Sequence, residues 1–173
     1  LIDGIDISQI DPADLRKKIS YVPQDIHLFR NTIKNNILGS YKFVDDEWMI
    51  KCSKISGTDE FVKLHPVGYD MPIGERGAGL SGGQRQSVGI ARALINDSKI
   101  YLFDEPTNAM DQTSESNVLN NLKENLEEKT LFLVTQKMNM LDLVTRVIVM
   151  NQGEKVLDGD KMEIIKKLGV NNG

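Results

Sequence analysis

The stretch Ile100-Tyr101-Leu102-Phe103-Asp104-Glu105 joins a short apolar run to two adjacent acidic residues. A run of this length and composition predicts a buried β-strand. Ligands of open α/β sheets bind outside the carboxyl ends of the strands, where Asp104 and Glu105 would stand. A carboxylate there can hold a magnesium ion on a nucleotide, and its neighbour can activate a water molecule. A buried strand that runs into an acidic turn is the alternative interpretation of this stretch alone.

Further apolar runs on both sides of this stretch predict more strands. The run at 19–22 ends at Pro23, which lacks the N–H group that a strand ladder needs. The runs at 131–134 and 147–150 are apolar at every position, which is typical of parallel strands buried on both faces. The first four residues also have the pattern of a strand.

Helical patterns separate these strands, and an α/β fold follows from the alternation. Apolar residues recur at helical spacing between the strands, and Asp45 and Gly57 are predicted to begin and end one such helix. Residues 31–95 have mainly helical patterns and contain no clear strand. We therefore predict a sheet core formed by residues 1–30 and 96–173, with a helical subdomain at 31–95 inserted into it.

The composition is that of a mildly acidic globular chain. Its 173 residues include 21 basic and 25 acidic side chains, for a formal net charge of −4. This charge argues against a nucleic-acid partner bound by bulk electrostatics. The single cysteine, Cys52, excludes a disulfide within the chain. No apolar run approaches the roughly 20 residues that a transmembrane helix requires.

A second motif, Leu80-Ser81-Gly82-Gly83-Gln84, precedes a predicted helix. Its two glycines allow a tight turn and present backbone amides at a helix N-terminus, where anions bind. The Ser81 hydroxyl adds a further donor. Alone, Ser-Gly-Gly is typical of a flexible helix cap. Followed by a helix and then by the acidic strand end, the pentapeptide predicts an anion-binding site.

In this order the motifs resemble those of the ABC-type ATPases over nearly the whole chain. Residues 80–84 match the family's signature motif, residues 100–105 match Walker B, and Gln24 matches the Q-loop glutamine. Asn108-Ala109-Met110-Asp111 matches the D-loop, and residues 74–77 resemble the X-loop of exporters. The resemblance implies a P-loop NTPase-like, or RecA-like, parallel-sheet core that is incomplete here and carries an inserted helical subdomain.

The resemblance also implies ATP and Mg²⁺ as cofactors, and a role for each matching residue. Asp104 would hold Mg²⁺ through water, and Glu105 would be the general base for the attacking water. Gln24 would sense the metal and the γ-phosphate. The resemblance further implies a head-to-tail homodimer, in which each subunit contacts a nucleotide held mainly by the opposite one. The residues implied to make this contact or to lie at the dimer seam are Ser81, Gly82, Gly83, Gln84 and Asp111.

The sequence departs from the family pattern in two places. None of its 14 glycines is followed by lysine, so the Gly-Lys-Ser/Thr loop that cradles phosphates is absent. In the family that loop lies upstream, so we expect an N-terminally truncated domain that cannot hydrolyse ATP alone. Gln136 stands where the family usually has a histidine that contacts the γ-phosphate, which implies a catalytic role for this position; glutamine can donate a hydrogen bond there but carries no charge. His27 and His65 are interpreted as surface or packing residues.

The resemblance further implies a transmembrane partner domain and a location at the cytoplasmic face of the bacterial inner membrane. Residues 12–16 and 65–70 most resemble the ATPases of type I secretion systems, which export large proteins. Two alternatives stay open. A non-catalytic regulatory or dimerisation module would explain the missing loop and Gln136. A chromosome-maintenance or DNA-repair ATPase is disfavoured, because no heptad run separates Gln24 from Leu80.

Overall fold

The structure is a computed structural model that describes residues 1–41 and 43–169. It divides into two compact units, the first comprising Leu1–Val134 and the second beginning at Thr135. The three-part division expected from the sequence, at 1–30, 31–95 and 96–173, stays a prediction, and its positions 42 and 170–173 lie outside the described residues.

The first unit alternates strands with helices, which confirms the predicted α/β class. Three of its strands form a parallel sheet in the order β1-β4-β5, and the other two form an antiparallel pair. The strands are β1 (Ile19–Val22), β2 (Asn31–Thr32), β3 (Pro72–Ile73), β4 (Ile100–Asp104) and β5 (Thr130–Val134). The helices are α1 (Pro12–Lys18), α2 (Ile33–Leu38), α3 (Asp46–Ile55), α4 (Thr58–Val62), α5 (Gly82–Ile95) and α6 (Gln112–Asn125), with short 3₁₀ turns at Ile7–Gln9, Gly68–Asp70 and Glu75–Gly77.

Helix α5 organises the core of the first unit. It packs against α2, α3, α4 and β1, and most of its residues from Gln86 onward are buried. The Trp48 indole of α3 donates a hydrogen bond of 3.1 Å to the Ile95 carbonyl, which ties α3 to the end of α5. Asp45 caps α3, and Gly57 follows it in the left-handed region at φ 78°, so both predicted boundaries are confirmed.

The prediction of no strand between 31 and 95 needs a small correction. Asn31 pairs with Ile73 and Thr32 with Pro72, which makes a two-residue antiparallel ladder. A ladder this short spans no full period of alternating side chains, so the sequence carries no strand pattern for it. The pairing brings the start of the helical region beside the segment that leads into α5.

The first four residues form a tight turn, where the sequence pattern predicts a strand. Ile2 and Ile5 exchange two backbone hydrogen bonds of 2.9 Å. Asp3 and Gly4 both have positive φ angles, 49° and 80°, so the chain reverses direction between them. Aspartate and glycine are residue types that tolerate this conformation, which outweighs the apolar character of the flanking residues.

Strand β5 is parallel as predicted, but the expectation that both its faces are buried is wrong. Register pairs Tyr21 with Leu102 and Leu102 with Phe132, so these side chains share one face of the sheet. On that face Tyr21 is 55% and Phe132 61% exposed. On the opposite face Phe103 is buried and its ring meets that of Tyr101 edge to face. Within the described residues, elements cover one face of the sheet more completely than the other.

The second unit consists of an antiparallel hairpin and a helix. Its elements are a 3₁₀ helix at Met138–Leu143, β6 (Arg146–Asn151), β7 (Glu154–Asp160) and α7 (Lys161–Lys167). The prediction of a buried parallel strand at 147–150 is therefore wrong. Gln152 and Gly153 both have positive φ, the geometry of a tight hairpin turn that joins antiparallel neighbours. In the part of the chain that the structure describes, no helix is long and apolar enough to span a membrane.

Candidate functional site

The two acidic residues at the end of β4 lie in a sharply turned backbone segment. Asp104 is the last residue of the strand, and Glu105 has a left-handed φ of 45°. The Glu105 N–H donates to the Val134 carbonyl at 2.9 Å, which extends the sheet ladder by one bond. Its own carbonyl accepts from the Asn108 N–H at 3.2 Å, which closes the turn. A non-glycine residue in this region stores about 1 kcal/mol or more of backbone strain.

Parallel pairing brings Gln24 to the same edge of the sheet. Strands β1 and β4 are neighbours with Val22 opposite Phe103, so their carboxyl ends are level. Gln24 lies two residues beyond Val22, in an exposed bend, and Glu105 lies two residues beyond Phe103. The structure therefore places these predicted site residues at adjacent strand ends, where α/β sheets bind ligands.

The signature segment starts helix α5 with a full capping box. The Ser81 hydroxyl accepts from the Gln84 N–H at 3.1 Å, and the Gln84 side-chain oxygen accepts from the Ser81 N–H at 2.9 Å. Because the Ser81 hydroxyl acts as the acceptor, it retains a hydrogen to donate. The first-turn amides of Gly82 and Gly83 have no intrahelical acceptor by helix geometry. This end of α5 can therefore present several donors to an anion.

The two glycines also permit a close contact with the D-loop of the same chain. A Cβ atom added at Gly82 would lie 2.8 Å from the Ala109 Cβ, and one added at Gly83 would lie 3.1 Å from the Ala109 carbonyl oxygen. A Cβ atom at Gly82 would force the loop to shift, and at Gly83 the loop would have to give by a few tenths of an ångström. Both glycines thus have a packing role within the chain, independently of any ligand.

Asp111 begins helix α6 as its N-cap. Its carboxylate accepts from the backbone N–H groups of Thr113 and Ser114 and from the Ser114 hydroxyl. The hydrogen bonds from Ser114, with a smaller contribution from Thr113, lower the pKa of Asp111. The side chain is exposed and ionised at neutral pH, and its structural task is to begin the helix.

A cleft of about 220 Å³ lies between the start of α5, the D-loop and α4. Small-molecule sites usually have volumes of roughly 300–1,000 Å³. By itself the cleft is therefore too small to enclose a nucleotide. The residues that line it include Phe61, Ser81, Gly83, Ala109, Met110 and Asp111.

Gln136 belongs to the second unit and is exposed between the end of β5 and the 3₁₀ helix. Its predicted role stays a prediction. The two histidines make local bonds: His27 Nδ1 lies 3.2 Å from the Asp25 carbonyl oxygen, and His65 Nδ1 accepts from the Val67 N–H at 3.4 Å. These contacts are those of packing or turn residues.

Gln86 is a site residue that the sequence did not indicate. Its side chain is 5% exposed and spans from α5 to the turn after β4. Its amide nitrogen donates to the Glu105 carbonyl at 3.3 Å, and its amide oxygen accepts from the Ala109 N–H at 2.8 Å. One feature of the sequence could have indicated this role: Gln86 is a polar residue at a buried position of an amphipathic helix. A buried amide is hydrogen-bonded in almost every case, so such a residue is expected to bind neighbouring groups.

Arg92, also on α5, holds the segment that follows Gln24. Its guanidinium donates to the carbonyl of Asn36 at 2.7 Å, to the side-chain oxygen of Asn36 at 3.2 Å and to the carbonyl of His27 at 3.0 Å. It also stands 5.7 Å from the centroid of the Phe29 ring. Burial lowers the pKa of Arg92, and the group stays charged because guanidinium deprotonates only at very high pH.

A buried pair supports the D-loop from the other side. The Thr107 hydroxyl donates to the Glu115 carboxylate, and both side chains are buried. Glu115 lies in the first turn of α6, where negative charge is favourable to the helix dipole. Helices α5 and α6 thus each contribute one buried polar side chain that binds the segment between Glu105 and Asp111.

Comparisons with known proteins agree with this geometry. The sequence profile of the family described as ABC transporter matches residues 1–108. The leukotoxin translocation ATP-binding protein LktB of a Pasteurella haemolytica-like species (strain 5943B) is 39% identical over 173 residues, which is 100% of this chain and 24% of the relative. The leukotoxin export ATP-binding protein LtxB of Aggregatibacter actinomycetemcomitans is 37% identical over 96% of this chain and 24% of the relative.

A solved structure of a bacterial Atm1-family ABC exporter with ATP bound matches the fold with a TM-score of 0.91 and 31% sequence identity. The match covers 96% of this chain and 30% of that chain. The chain spans about a quarter of the length of the curated relatives it matches. Because the family profile matches more than half of the chain and the fold and motifs agree with it, the chain belongs to the ABC transporter family.

Proposed function

We propose that this chain forms part of the ATP-binding and ATP-hydrolysing domain of an ABC exporter. The observation that carries the proposal is the level arrangement of Gln24 and Glu105 beyond neighbouring parallel strands, at the edge where such sheets bind ligands. The names of the leukotoxin relatives support ATP as the ligand and protein export as the process that it powers. The resemblance of residues 12–16 and 65–70 supports a type I secretion system as the export route.

In this proposal Asp104 and Glu105 have separate roles, one in metal binding and one in proton transfer. Asp104 holds Mg²⁺ through water, and Glu105 accepts a proton from the attacking water. Mg²⁺, when bound, neutralises charge on the phosphates. Within residues 1–41 and 43–169, no three or more His, Cys, Asp or Glu side chains form a metal-binding cluster. A single carboxylate suits Mg²⁺ on a nucleotide, since phosphates and water supply its other oxygen ligands.

The signature segment completes the site of a second copy in a head-to-tail homodimer. Ser81, Gly82 and Gly83 donate to the γ-phosphate of a nucleotide held mainly by that copy, while Gln84 shapes the helix start through the capping box. Asp111 lies at the seam. The small volume of the cleft beside these residues supports a site that only a second surface can complete. ATP then favours the closed pair, and its loss shifts the population back towards the open one.

Gln24 links this cycle to a transmembrane partner domain. It lies in an exposed bend between the sheet edge and the segment that Arg92 binds, so a change at the nucleotide can move a surface that faces a partner. The family and the Atm1-family exporter support such a partner, and with it a position at the cytoplasmic face of the bacterial inner membrane.

The test of this proposal is Glu105→Gln in the complete exporter. The amide cannot accept the proton, so we expect ATP turnover to fall by about 10²–10⁴-fold while ATP affinity is retained. Glu124→Gln, on the exposed side of α6, removes the same charge away from the site and serves as the control. Loss of ATP binding together with turnover, or turnover equal to that of the control, would overturn the assignment.

Gln136 favours a second candidate, a non-catalytic regulatory or dimerisation module with the same fold. A neutral amide at this position supplies a hydrogen bond to the γ-phosphate but no positive charge. Under the leading proposal, turnover is slow and Gln136→His in the complete protein raises it. A complete protein that binds ATP and dimerises without turnover, before and after this substitution, would support the second candidate.

A further inference from the structure

The side chain of Gln86 connects the start of the signature helix to the two ends of the turn that carries Glu105. One arm of its amide donates to the Glu105 carbonyl at 3.3 Å, and the other accepts from the Ala109 N–H at 2.8 Å. The side chain is 5% exposed, so water does not compete freely for either bond. Both bonds cross between elements, from α5 to the segment between β4 and α6.

The main-chain conformation of Glu105 sets the direction in which its side chain leaves the turn. The φ of 45° places it in a region that non-glycine residues adopt only when the surroundings hold them there. Its N–H is held by the Val134 carbonyl, and its own carbonyl accepts from Asn108 and from Gln86. Rotation of the peptide between Glu105 and Pro106 would break the Gln86 bond and release the constraint on the main chain from which the carboxylate extends.

Gln86 lies one and a half turns beyond Ser81 on a helix whose start is packed tightly against the D-loop. The close approach of Gly82 and Gly83 to Ala109 leaves little freedom for α5 to slide past the loop. A displacement of the signature segment is therefore passed to the Ala109 N–H and to the Glu105 carbonyl through one buried side chain that is hydrogen-bonded at both ends of its amide.

We propose that Gln86 is a positioning residue that aims Glu105 and couples it to the signature segment of the same chain. The inference rests on the proposed function, in which Ser81–Gly83 contact one nucleotide of the pair and Glu105 acts on the other. Gln86 then joins the two nucleotide sites of the dimer, because it binds both elements. Its amide is required in both roles, as donor and as acceptor.

Two substitutions in the complete exporter separate these roles. Gln86→Met keeps the volume and removes both bonds; we expect kcat to fall about 10- to 100-fold with KM for ATP within about twofold, since the base is misplaced while the residues proposed to contact the nucleotide are unchanged. Gln86→Glu keeps the acceptor for the Ala109 N–H and loses the donor to Glu105. It should lose kcat similarly while Ala109 stays protected from hydrogen exchange. Gln9→Met, on the exposed surface, is the control for the substitution itself.

A pH profile provides a readout that a merely structural role would not move, and a nucleotide-free measurement tests whether the Gln86 bond to Ala109 forms in solution. A buried glutamate has a raised pKa, so the kcat of Gln86→Glu relative to wild type should rise as the pH is lowered from about 8 to about 6 and the carboxyl becomes a donor. In Gln86→Met without nucleotide, the Ala109 amide should exchange about tenfold faster. If Gln86→Met does not fold, the pH dependence of kcat in Gln86→Glu tests the proposal.

Glu105→Gln, assayed in parallel, separates the two levels of the proposal. If Glu105→Gln retains wild-type turnover, the proposed function fails and the inference fails with it. If Glu105→Gln is inactive but Gln86→Met has wild-type kcat and unchanged exchange at Ala109, the inference alone is wrong. An equal fall in kcat for Gln9→Met would also overturn it.

Discussion

Replacing Arg92 by methionine should destabilise the first unit by about 2–3 kcal/mol. The substitution keeps most of the apolar stem, so the change isolates the guanidinium head. The head donates three hydrogen bonds, two of them to Asn36, which is 0% exposed. The side-chain oxygen of Asn36 keeps a second donor, the Phe29 N–H at 2.8 Å, and water can replace the bond to the exposed His27.

The carbonyl of Asn36 therefore accounts for most of the expected loss. A buried acceptor left without its donor costs about 1–3 kcal/mol, and the loss of the other charge-assisted bonds adds to it. Lysine is not an equivalent replacement, because its single ammonium cannot reach the three acceptors in the planar geometry of arginine. We expect Arg92→Lys to lose about half as much stability as Arg92→Met.

The assay is urea-induced unfolding at neutral pH, followed by the fluorescence of Trp48, the single tryptophan of this sequence. With a urea dependence of about 2 kcal/mol per molar, the loss corresponds to a midpoint lower by about 1–1.5 M. Arg16→Met, on an exposed position of α1, removes the same charge and should change stability by less than about 0.5 kcal/mol. An Arg92→Met midpoint equal to that of Arg16→Met would refute the reasoning.

Three further predictions concern packing, pH and thiol chemistry. Gly83→Ala should lower stability by about 1–2 kcal/mol without nucleotide, since overpacking against the Ala109 carbonyl outweighs the gain in helix propensity; urea unfolding measures this. Arg146 and Lys155 lower the pKa of Asp158 to about 2, so the stability that this carboxylate adds to the hairpin is present above about pH 4 and lost as the pH falls towards 2; acid titration of wild type against Asp158→Asn measures it. Burial raises the pKa of Cys52 to about 12, so iodoacetamide at pH 8 should alkylate it about 10³-fold more slowly than in urea, as followed by mass spectrometry.

Each of these predictions has a contrary result. A Gly83→Ala variant that is more stable than wild type would mean that the loop moves aside at no cost. Equal acid profiles for wild type and Asp158→Asn would mean that the ion pairs contribute nothing to the hairpin. Native alkylation of Cys52 at the denatured rate would mean that α3 opens readily.

The sequence predicted much of the first unit because its signals are local. The strand ending in Asp104, the glycine turn before α5 and the caps of α3 each depend on residues within a few positions of one another. The order of the motifs was enough to indicate the family. The expectations that failed concern burial and pairing: Phe132 is exposed, and the run at 147–150 is one arm of an antiparallel hairpin. An apolar run indicates that a strand can form, but which residues pack against its two faces is determined by distant parts of the chain.

By itself the sequence determined the α/β class, the motifs and the residues that we propose bind and hydrolyse a nucleotide. Only the tertiary structure decided which side chains hold those residues in position. Gln86 meets Glu105 and Ala109 across 19 and 23 residues of sequence, and Arg92 reaches Asn36 across 56. Such pairs arise from strand register and helix packing, which depend on the sum of many weak contacts. No local pattern encodes them, because either partner alone is an ordinary polar residue on a helix or in a loop.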